Sequence, residues 1–333
     1  MSSEDESDLP AVLAIDGGST KTDLALVGAD GRLLGTVRGP GLAEEWSADE
    51  TVAMLDQLVR QLARDVGLPG TSVVARHTSA CLAHLDLPHE EVAITAAITS
   101  LVWSHSVLAM NDTFAVLRAG PDTRQDGGAG VAVVCGTGIN CVGRDSTGRT
   151  TRFIGLGSVS GDWGGGNDLG AAALWWAARS QDGRGPFTLL QRTVPDHFGL
   201  NSMHQVQVAI RDGDITQFGQ LAPLVLDAAT ADDGVGRKLV ERQADEICTM
   251  ALLALRRLDL LTTPVPVVLG GSVVAARHEQ LTDAVHTGMA AGSKAVVHIL
   301  DAPPIVGAIL WGLDAVGSAL DAELRVRHTY QGG

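Results

Sequence analysis

The sequence predicts an α/β protein built from two related domains, and two observations support this prediction. Short apolar runs typical of strands alternate with longer stretches of helical periodicity along most of the chain. A unit of strand, glycine turn, strand, glycine turn and strand occurs twice, beginning at Val12 and again at Val131. The length of 333 residues agrees, because one core rarely grows beyond about 300 residues. We expect mixed sheets with helices on both faces.

The first copy of the repeat opens with an apolar run over residues 12–15. This run ends at Asp16-Gly17-Gly18, which predicts a buried strand that enters a tight turn. Further strands are predicted over residues 23–27 and 33–37. Asp30-Gly31 lies between them and is a strong hairpin signal.

The second copy has the same order of signals. An apolar run over residues 131–135 ends at Gly136-Thr137-Gly138, and residues 140–143 continue it as a strand. Thr147-Gly148 then takes the place of the Asp-Gly turn of the first copy. A repeat of this size indicates two related domains rather than a solenoid.

The remaining elements follow from periodicity and punctuation. Further strands are predicted near residues 72–75, 106–110 and 265–269. Further helices are predicted near residues 49–66, 90–101, 168–179, 203–211, 236–258 and 305–320.

Charge and composition exclude several classes of function. The net charge of −15 would repel nucleic acid and anionic membranes, so neither is expected as a partner. The chain has no run of 18 apolar residues, so we expect no membrane span. Its acidic first eight residues are unlike a signal peptide and predict a short disordered tail. The four cysteines have no metal-site spacing, and a reduced cytoplasmic setting fits them.

Three turns that follow strands are candidates for phosphate binding. Glycines let backbone N–H groups approach a phosphate, hydroxyls donate further hydrogen bonds, and Lys21 adds positive charge. Asp16, at a strand end, is the candidate Mg²⁺ ligand, because Mg²⁺ prefers oxygen ligands. A single such turn is a weak signal, and neither the P-loop nor the GxGxxG pattern is present. The candidate residues are Gly17, Gly18, Ser19, Thr20, Lys21 and Thr22, then Gly136, Thr137 and Gly138, then Gly270, Gly271 and Ser272.

The three turns together carry a family resemblance. The segments DGGSTKTDLALV, GTG and LGGSV resemble the phosphate-1, phosphate-2 and adenosine segments of the actin-like ATPase superfamily. Within it, residues 12–320 resemble the family of BadF-type ATPases and N-acetylglucosamine kinases. The resemblance implies two ribonuclease H-like domains with ATP and Mg²⁺ held between them. We place the N-terminal domain at residues 1–113, with residues 320–333 packing back on it, and the C-terminal domain at residues 114–319.

Asp112 is the candidate catalytic base. A sugar kinase needs a carboxylate that orients the attacking hydroxyl and accepts its proton. Asp112 ends an apolar predicted strand and precedes a helical stretch, and ligand sites in α/β folds gather at such strand ends. The residues alone fit an N-cap aspartate equally well. The resemblance favours catalysis, because in the resembling kinases this strand end carries the catalytic aspartate.

The sugar is expected to meet polar residues at several places. A glycine-rich segment over residues 155–168 resembles a sugar-contacting loop of these kinases, with Trp163 where a glutamate is expected. The candidate substrate-binding residues are Glu44, Glu45, Asn111, Asp112, Asn140, Asp162, Asn167 and Asp168.

The segment after the first hairpin departs from the resembling kinases. It contains Glu44 and Glu45 where N-acetylglucosamine kinases have an asparagine-containing stretch. Carboxylates would pair with a free ammonium better than with a neutral acetamide. We therefore predict glucosamine as the acceptor. The alternative is that both glutamates only precede a solvated helix start, where acids are favoured.

Four functions follow from the resemblance. The first is an ATP-dependent kinase that converts glucosamine to glucosamine 6-phosphate, and the second is an N-acetylglucosamine kinase. The third is a BadF-type ATPase that acts on a protein partner. Such activators resemble iron–sulfur proteins with paired cysteines at a dimer interface, and the four cysteines of this chain do not suggest such a cluster, so this function is disfavoured. The fourth is a sugar-sensing regulator, disfavoured by the lack of a helix-turn-helix before Val12. A homodimer is the default expectation for the assembly.

Overall fold

The structure is a computed structural model that describes residues 9–69, 73–121 and 127–331. The tail predicted over residues 1–8 lies outside the described residues. The chain divides into two compact units. The first unit spans Met1–Gly128 and Leu300–Gly333, and the second spans Ala129–Ile299. The domain boundaries predicted from the sequence stay a prediction.

The described residues form ten strands and twelve α-helices. The strands are β1 Val12–Gly17, β2 Lys21–Val27, β3 Leu33–Pro40, β4 Ala75–Leu82, β5 Ser104–Asn111, β6 Gly130–Cys135, β7 Ile139–Arg144, β8 Thr150–Arg152, β9 Pro266–Gly270 and β10 Val296–Ile299. The helices are α1 Ala48–Asp65, α2 Pro88–Ser100, α3 Thr113–Ala119, α4 Gly165–Gln181, α5 Leu190–His197, α6 Met203–Asp212, α7 Ala222–Thr230, α8 Gly234–Arg257, α9 Ser272–Ala275, α10 Glu279–Gly292, α11 Ile305–Ala315 and α12 Leu320–Gln331.

The two units contain sheets of the same topology. In the first, the strand order is β3-β2-β1-β4-β5, and in the second it is β8-β7-β6-β9-β10. In the first sheet, β1 and β2 pair antiparallel, as do β2 and β3, whereas β4 is parallel to β1 and β5 is parallel to β4. In the second sheet, β6 and β7 pair antiparallel, as do β7 and β8, whereas β9 is parallel to β6 and β10 is parallel to β9. The repeat seen in the sequence is therefore a repeat of whole five-stranded sheets.

The first sheet is covered on both faces because its strands alternate. Leu13 and Ile15 of β1 point into a core shared with α1 and α2. Val12 and Ala14, on the opposite face, pack with α3, α11 and α12. A strand buried on both faces has to be apolar throughout, and the continuous apolar run before Asp16 meets that requirement.

Helix starts in both units follow from capping residues. Ser47 caps α1 in a capping box with Glu50, whose carboxylate accepts from the Ser47 amide at 2.8 Å. Asp233 caps the long helix α8 by accepting from the amides of Val235 and Gly236, both at 2.9 Å. Both signals are local, which is why these helices could be predicted.

Two predicted elements differ from the structure. The strand expected near residues 72–75 starts at Ala75 and runs to Leu82, while residue 72 lies outside the described part. The strand was misplaced because it has no continuous apolar run. Its Thr78 and Ser79 are polar yet fully buried, and Thr78 shares a 2.7 Å hydrogen bond with Ser104. The helix expected over residues 305–320 ends at Ala315, because Gly317 adopts φ +69° and α12 starts after it.

None of the helices in the described part of the chain has the length and apolar character that a membrane crossing requires.

Candidate active site

The carboxyl ends of three parallel strands meet at one edge of the first sheet. Gly17 of β1 pairs with Leu82 of β4, and Leu82 pairs with Asn111 of β5. Neighbouring strands are about 4.8 Å apart, so Asp16 and Asn111 lie roughly 10 Å from each other across β4. Asp112 follows Asn111 directly. The topology thus brings the predicted metal ligand and the predicted base to the same edge.

Asp16 and Asp112 are both carboxyls whose ionisation is disfavoured. Burial, together with the charges of Asp112 and Asp23, raises the pKa of Asp16 to about 8. Burial raises the pKa of Asp112 to about 6, opposed by the charge of His84 and by hydrogen bonding to Thr113. A base with a pKa near 6 is ionised at neutral pH and still able to take a proton.

Asp112 occupies the N-cap position of α3 but makes no capping hydrogen bond with its side chain. Its neighbour provides a local substitute, since the Asn111 side-chain oxygen accepts from the Thr113 amide at 3.0 Å. The Asp112 side chain thus makes no capping bond in the structure, and its role as the base stays a prediction. The side chain of Asp112 is left half-buried at the sheet edge.

Asn111 is fully engaged by protein groups. Its side-chain amide donates to Asp86 at 3.1 Å, and its backbone amide donates to Glu91 at 3.2 Å. Only 2% of its surface is exposed. We expect it to shape the edge next to Asp112, while its role as a sugar ligand stays a prediction.

The β1–β2 turn contains the first predicted phosphate-binding residues. Gly18 accepts from the Leu42 amide at 3.0 Å, and a Cβ at Gly41 would lie 2.2 Å from the Ser19 carbonyl oxygen. Only glycine at position 41 allows this close backbone approach. Ser19 and Thr20 are exposed, whereas the buried Thr22 hydroxyl donates to the Pro40 carbonyl at 2.7 Å.

Lys21 is held beside the turn by an ion pair. Its Nζ lies 2.8 Å from Asp23, and its side chain is 43% exposed. Arg38 also pairs with Asp23, with Nε at 2.6 Å and Nη2 at 3.1 Å. Because Arg38 already neutralises Asp23, Lys21 can turn its charge toward a ligand without leaving a carboxylate unpaired.

A pocket of about 240 Å³ lies beside this edge, within the first unit. Its wall combines apolar residues such as Leu42 and Ile94 with the polar Glu44, His84 and Glu90. Glu44 and Glu45 are both exposed in a turn ahead of the Ser47 cap, but only Glu44 belongs to the wall. The two glutamates that were predicted together therefore differ in their position relative to the pocket.

In the second unit, three glycine segments converge at the end of β6. The amides of Gly166 and Asn167 donate to the carbonyls of Gly136 and Thr137, at 2.7 and 2.9 Å. A Cβ at Gly165 would lie 2.4 Å from the Gly138 carbonyl oxygen. The turn after β6 is therefore fastened to the start of α4.

The turn after β9 joins the same edge of the second sheet. A Cβ at Gly271 would lie 2.4 Å from the Cys135 carbonyl, and Gly271 has φ +92°. Gly270 is buried and Ser272, which begins α9, is exposed. The predicted segments at Gly136–Gly138 and Gly270–Ser272 are brought together, and Thr137 and Gly138 are exposed to solvent.

The other predicted sugar residues of the second unit have separate tasks. Asp168 accepts from the Gly164 amide at 2.8 Å and so stabilises the start of α4. Asp162 accepts from the Ser160 hydroxyl within the loop, and the Asn140 side chain accepts from the Cys141 amide at 2.7 Å. Asn167 is exposed. Their contacts with a sugar stay predictions.

The model of the BadF/BadG/BcrA/BcrD ATPase family matches residues 13–312. The chain belongs to this family. The predicted membership is thereby confirmed over most of the chain.

Two relatives of this family member are named as sugar kinases. The N-acetylmuramic acid/N-acetylglucosamine kinase of Clostridium acetobutylicum is 27% identical over 268 residues, which cover 79% of this chain and 85% of the relative. The N-acetyl-D-glucosamine kinase of Dictyostelium discoideum is 24% identical, over 74% of this chain and 80% of the relative.

A crystal structure from Chromobacterium violaceum, assigned as an N-acetylglucosamine kinase, matches the fold. It superposes with a TM-score of 0.69 at 25% identity, covering 91% of this chain and 99% of that one. The predicted α/β fold, with two domains of the actin-like ATPase type, is confirmed. In this family member, each of the two units contains one five-stranded sheet of that fold.

The residues of this ATPase family member suit one Mg²⁺. Mg²⁺ is commonly bound by one or two carboxylates together with water and phosphate oxygens. Asp16 is a buried carboxyl whose charged form needs a cation to offset burial, and it fits that requirement. No cluster of three or more His, Cys, Asp or Glu suited to a metal occurs among the described residues.

Two site residues were missed from the sequence. His84 lines the pocket of the first unit, but a lone histidine after a strand carries no pattern. Gln243 of α8 is 1% exposed, and its side-chain oxygen accepts from the Gly165 amide at 2.9 Å. It is 78 residues away from Gly165 in sequence, so no local signal could reveal it.

Proposed function

We propose that this enzyme, an ATP-dependent sugar kinase, transfers the terminal phosphoryl group of ATP to an amino sugar, with N-acetylglucosamine as the first substrate. The observation that carries the proposal is the position of Asp112. It lies half-buried at the end of β5, with a backbone tie to Leu82 of the pocket wall. The names of the two relatives support the choice of sugar.

Asp112 acts as the base in this mechanism. Its carboxylate orients the attacking hydroxyl of the sugar and accepts the proton as the hydroxyl oxygen bonds to phosphorus. The bond between phosphorus and the bridging oxygen of ATP breaks, and ADP leaves. Because positioning dominates phosphoryl transfer, the rigid attachment of Asp112 to β4 is as important as its basicity.

The turns bind the nucleotide. In the first unit, Ser19, Thr20 and Lys21 are the proposed ligands of phosphate oxygens. In the second unit, the turns at Gly136–Gly138 and Gly270–Ser272 are proposed to bind nucleotide through their backbone amides. Mg²⁺, held by Asp16, would neutralise charge that develops on the phosphates. This assignment of nucleotide and metal residues is part of the proposal.

Glucosamine is the second candidate substrate, and one observation favours it. Glu44 lines the pocket, where its carboxylate could pair with the ammonium group of glucosamine. Glu45 lies next to it in the chain but outside the pocket wall, which makes it a matched control.

The acceptor is identified by ADP release coupled to a reporter enzyme. We expect N-acetylglucosamine to give the higher kcat/KM, and Glu44→Gln to change it little. Should glucosamine be preferred, and Glu44→Gln but not Glu45→Gln raise its KM about tenfold, the ammonium-binding alternative replaces the first candidate. Absence of sugar-dependent ADP release with either sugar would refute the proposed function.

A protein partner as phosphoryl or energy acceptor is less well supported. All four cysteines are buried, at positions 81, 135, 141 and 248. A cluster shared at a subunit interface needs thiolates at the surface, and burial raises the pKa of each thiol.

A further inference from the structure

His84 follows the middle strand of the three whose ends meet at the edge of the first sheet. β4 lies between β1, which carries Asp16, and β5, which leads to Asp112. The pairing continues past the strand end, since the Ala83 amide donates to the Gly17 carbonyl at 2.7 Å. His84 is therefore placed between the proposed metal ligand and the proposed base.

The imidazole contacts both halves of the site in this unit. Its Nε2 lies 3.3 Å from the Ser19 hydroxyl oxygen, within hydrogen-bonding distance, in the turn proposed to bind phosphate. The same side chain lines the pocket proposed to bind the acceptor. Its charge also lowers the pKa of Asp112, so the two side chains interact electrostatically.

The backbone of His84 is strained. Its φ is +61°, in the left-handed region that residues with a side chain rarely adopt. In the described chain, five residues other than glycine adopt positive φ, and His84 is the one that lines the pocket. Strain kept at a site residue suggests that the side chain has a use.

We propose that His84 is a positioning residue: its imidazole holds the Ser19 hydroxyl toward the terminal phosphate of ATP and couples this turn to the acceptor pocket. The proposal rests on the proposed function. In this role the ring transfers no proton to the substrate. It restricts Ser19, a residue of an exposed turn, to one orientation, which reduces the entropy lost when ATP binds.

A double-mutant cycle tests the coupling. His84→Gly removes the ring and also relieves the left-handed strain, so it should keep or raise the melting temperature. We expect His84→Gly and Ser19→Ala each to lower kcat about tenfold, with the sugar KM changed by less than about threefold. The double variant should be no slower than either single variant, because both remove one interaction.

Val102 provides the matched control for strain. It also has positive φ, at +54°, but is exposed and outside the pocket wall. Val102→Gly should therefore raise stability in the same way and leave kcat unchanged. An unchanged kcat in His84→Gly, or effects of the two single variants that multiply in the double variant, would overturn the proposal.

The same cycle, measured on the dissociation constant of ATP without sugar, separates this proposal from the proposed function. If the wild type binds ATP but phosphorylates no sugar, the proposed function fails. Weaker and non-additive ATP binding in the two variants would still support the contact between His84 and Ser19. Additive or unchanged ATP affinities would refute it independently.

Discussion

The backbone amide of Asp112 donates to the carbonyl oxygen of Leu82 at 3.1 Å, one residue beyond the last paired residue of β5. This bond extends the β4–β5 pairing and ties the backbone of Asp112 to Leu82, a residue that lines the pocket. The proposed base is thus positioned by the sheet rather than by a flexible loop.

Replacement of Asp112 by asparagine tests its role as base. We expect Asp112→Asn to lower kcat by a factor of ~10²–10⁴, because the proton acceptor is lost. The melting temperature should be no lower than that of the wild type, since burial disfavours the charge that is removed. Asp49→Asn, in the exposed first turn of α1, is the control and should keep full activity. A large drop in stability in Asp112→Asn would point to a structural role.

The pKa of Asp112 predicts the acid limb of the pH–rate profile. With a pKa of about 6 in the free protein, the base is half protonated at that pH, and kcat/KM for the sugar should fall ~tenfold per pH unit below it. Values of kcat/KM measured from pH 4 to 8 would check this. A limb centred near pH 4, the range of an unperturbed aspartate, would contradict it.

The same raised pKa makes a prediction for stability. The folded state holds the proton of Asp112 more tightly than the unfolded state, whose aspartate pKa is 3.8. Its contribution is therefore fully present below pH 3.8 and is lost as the pH rises through about 6. Without metal or nucleotide, Asp112→Asn should gain stability over the wild type between these values, as measured by urea unfolding. A gap that is independent of pH would contradict the shift.

Two glycines with nearly equal φ allow the cost of backbone strain to be distinguished from the cost of a steric clash. Gly165 is the first residue of α4 and Gly183 follows its end, with φ of +82° and +81°. A Cβ at Gly165 would strike the Gly138 carbonyl, whereas at Gly183 nothing lies within 4 Å. Gly183→Ala should cost about 1–2 kcal/mol of unfolding free energy, and Gly165→Ala clearly more. Only Gly165→Ala should weaken ATP binding. Equal losses in the two variants would contradict the close packing of these turns.

Lys21 is predicted to serve ATP rather than stability. Lys21→Met should raise the KM for ATP about tenfold, because a cation near the phosphates is lost. The melting temperature should change little, since Arg38 still pairs with Asp23. Arg60→Met, which breaks a partly exposed ion pair with Asp56 on α1, is the control for loss of a cation outside the proposed site. An unchanged KM for ATP would remove Lys21 from the site.

Local signals accounted for the strands that lead to the site. The apolar runs before Asp16 and before Gly136 are buried strands, and each turn signal between strands lies between the expected neighbours. β4 was misplaced because its buried residues include His77, whose ring shares a 2.8 Å hydrogen bond with Ser106. A buried polar network of this kind depends on a neighbouring strand and leaves no hydrophobic pattern.

The site could be predicted only where one segment of chain contains it. The glycine turns and Asp112 could be proposed as site residues from the sequence because each lies at a single strand end. Gln243 approaches Gly165 from a distant helix, and His84 approaches Ser19 across 65 residues. Glu44 and Glu45 carried equal weight in the sequence, and the fold distinguishes them by placing Glu44 alone in the pocket wall.

The most direct test of the central claim is the mass of the sugar product. Wild type and Asp112→Asn would be incubated with ATP, Mg²⁺ and N-acetylglucosamine, and the sugars analysed by mass spectrometry. A sugar monophosphate formed by the wild type and nearly absent with the variant is the expected result. ATP hydrolysis without any phosphorylated sugar, or equal product from both proteins, would contradict the account.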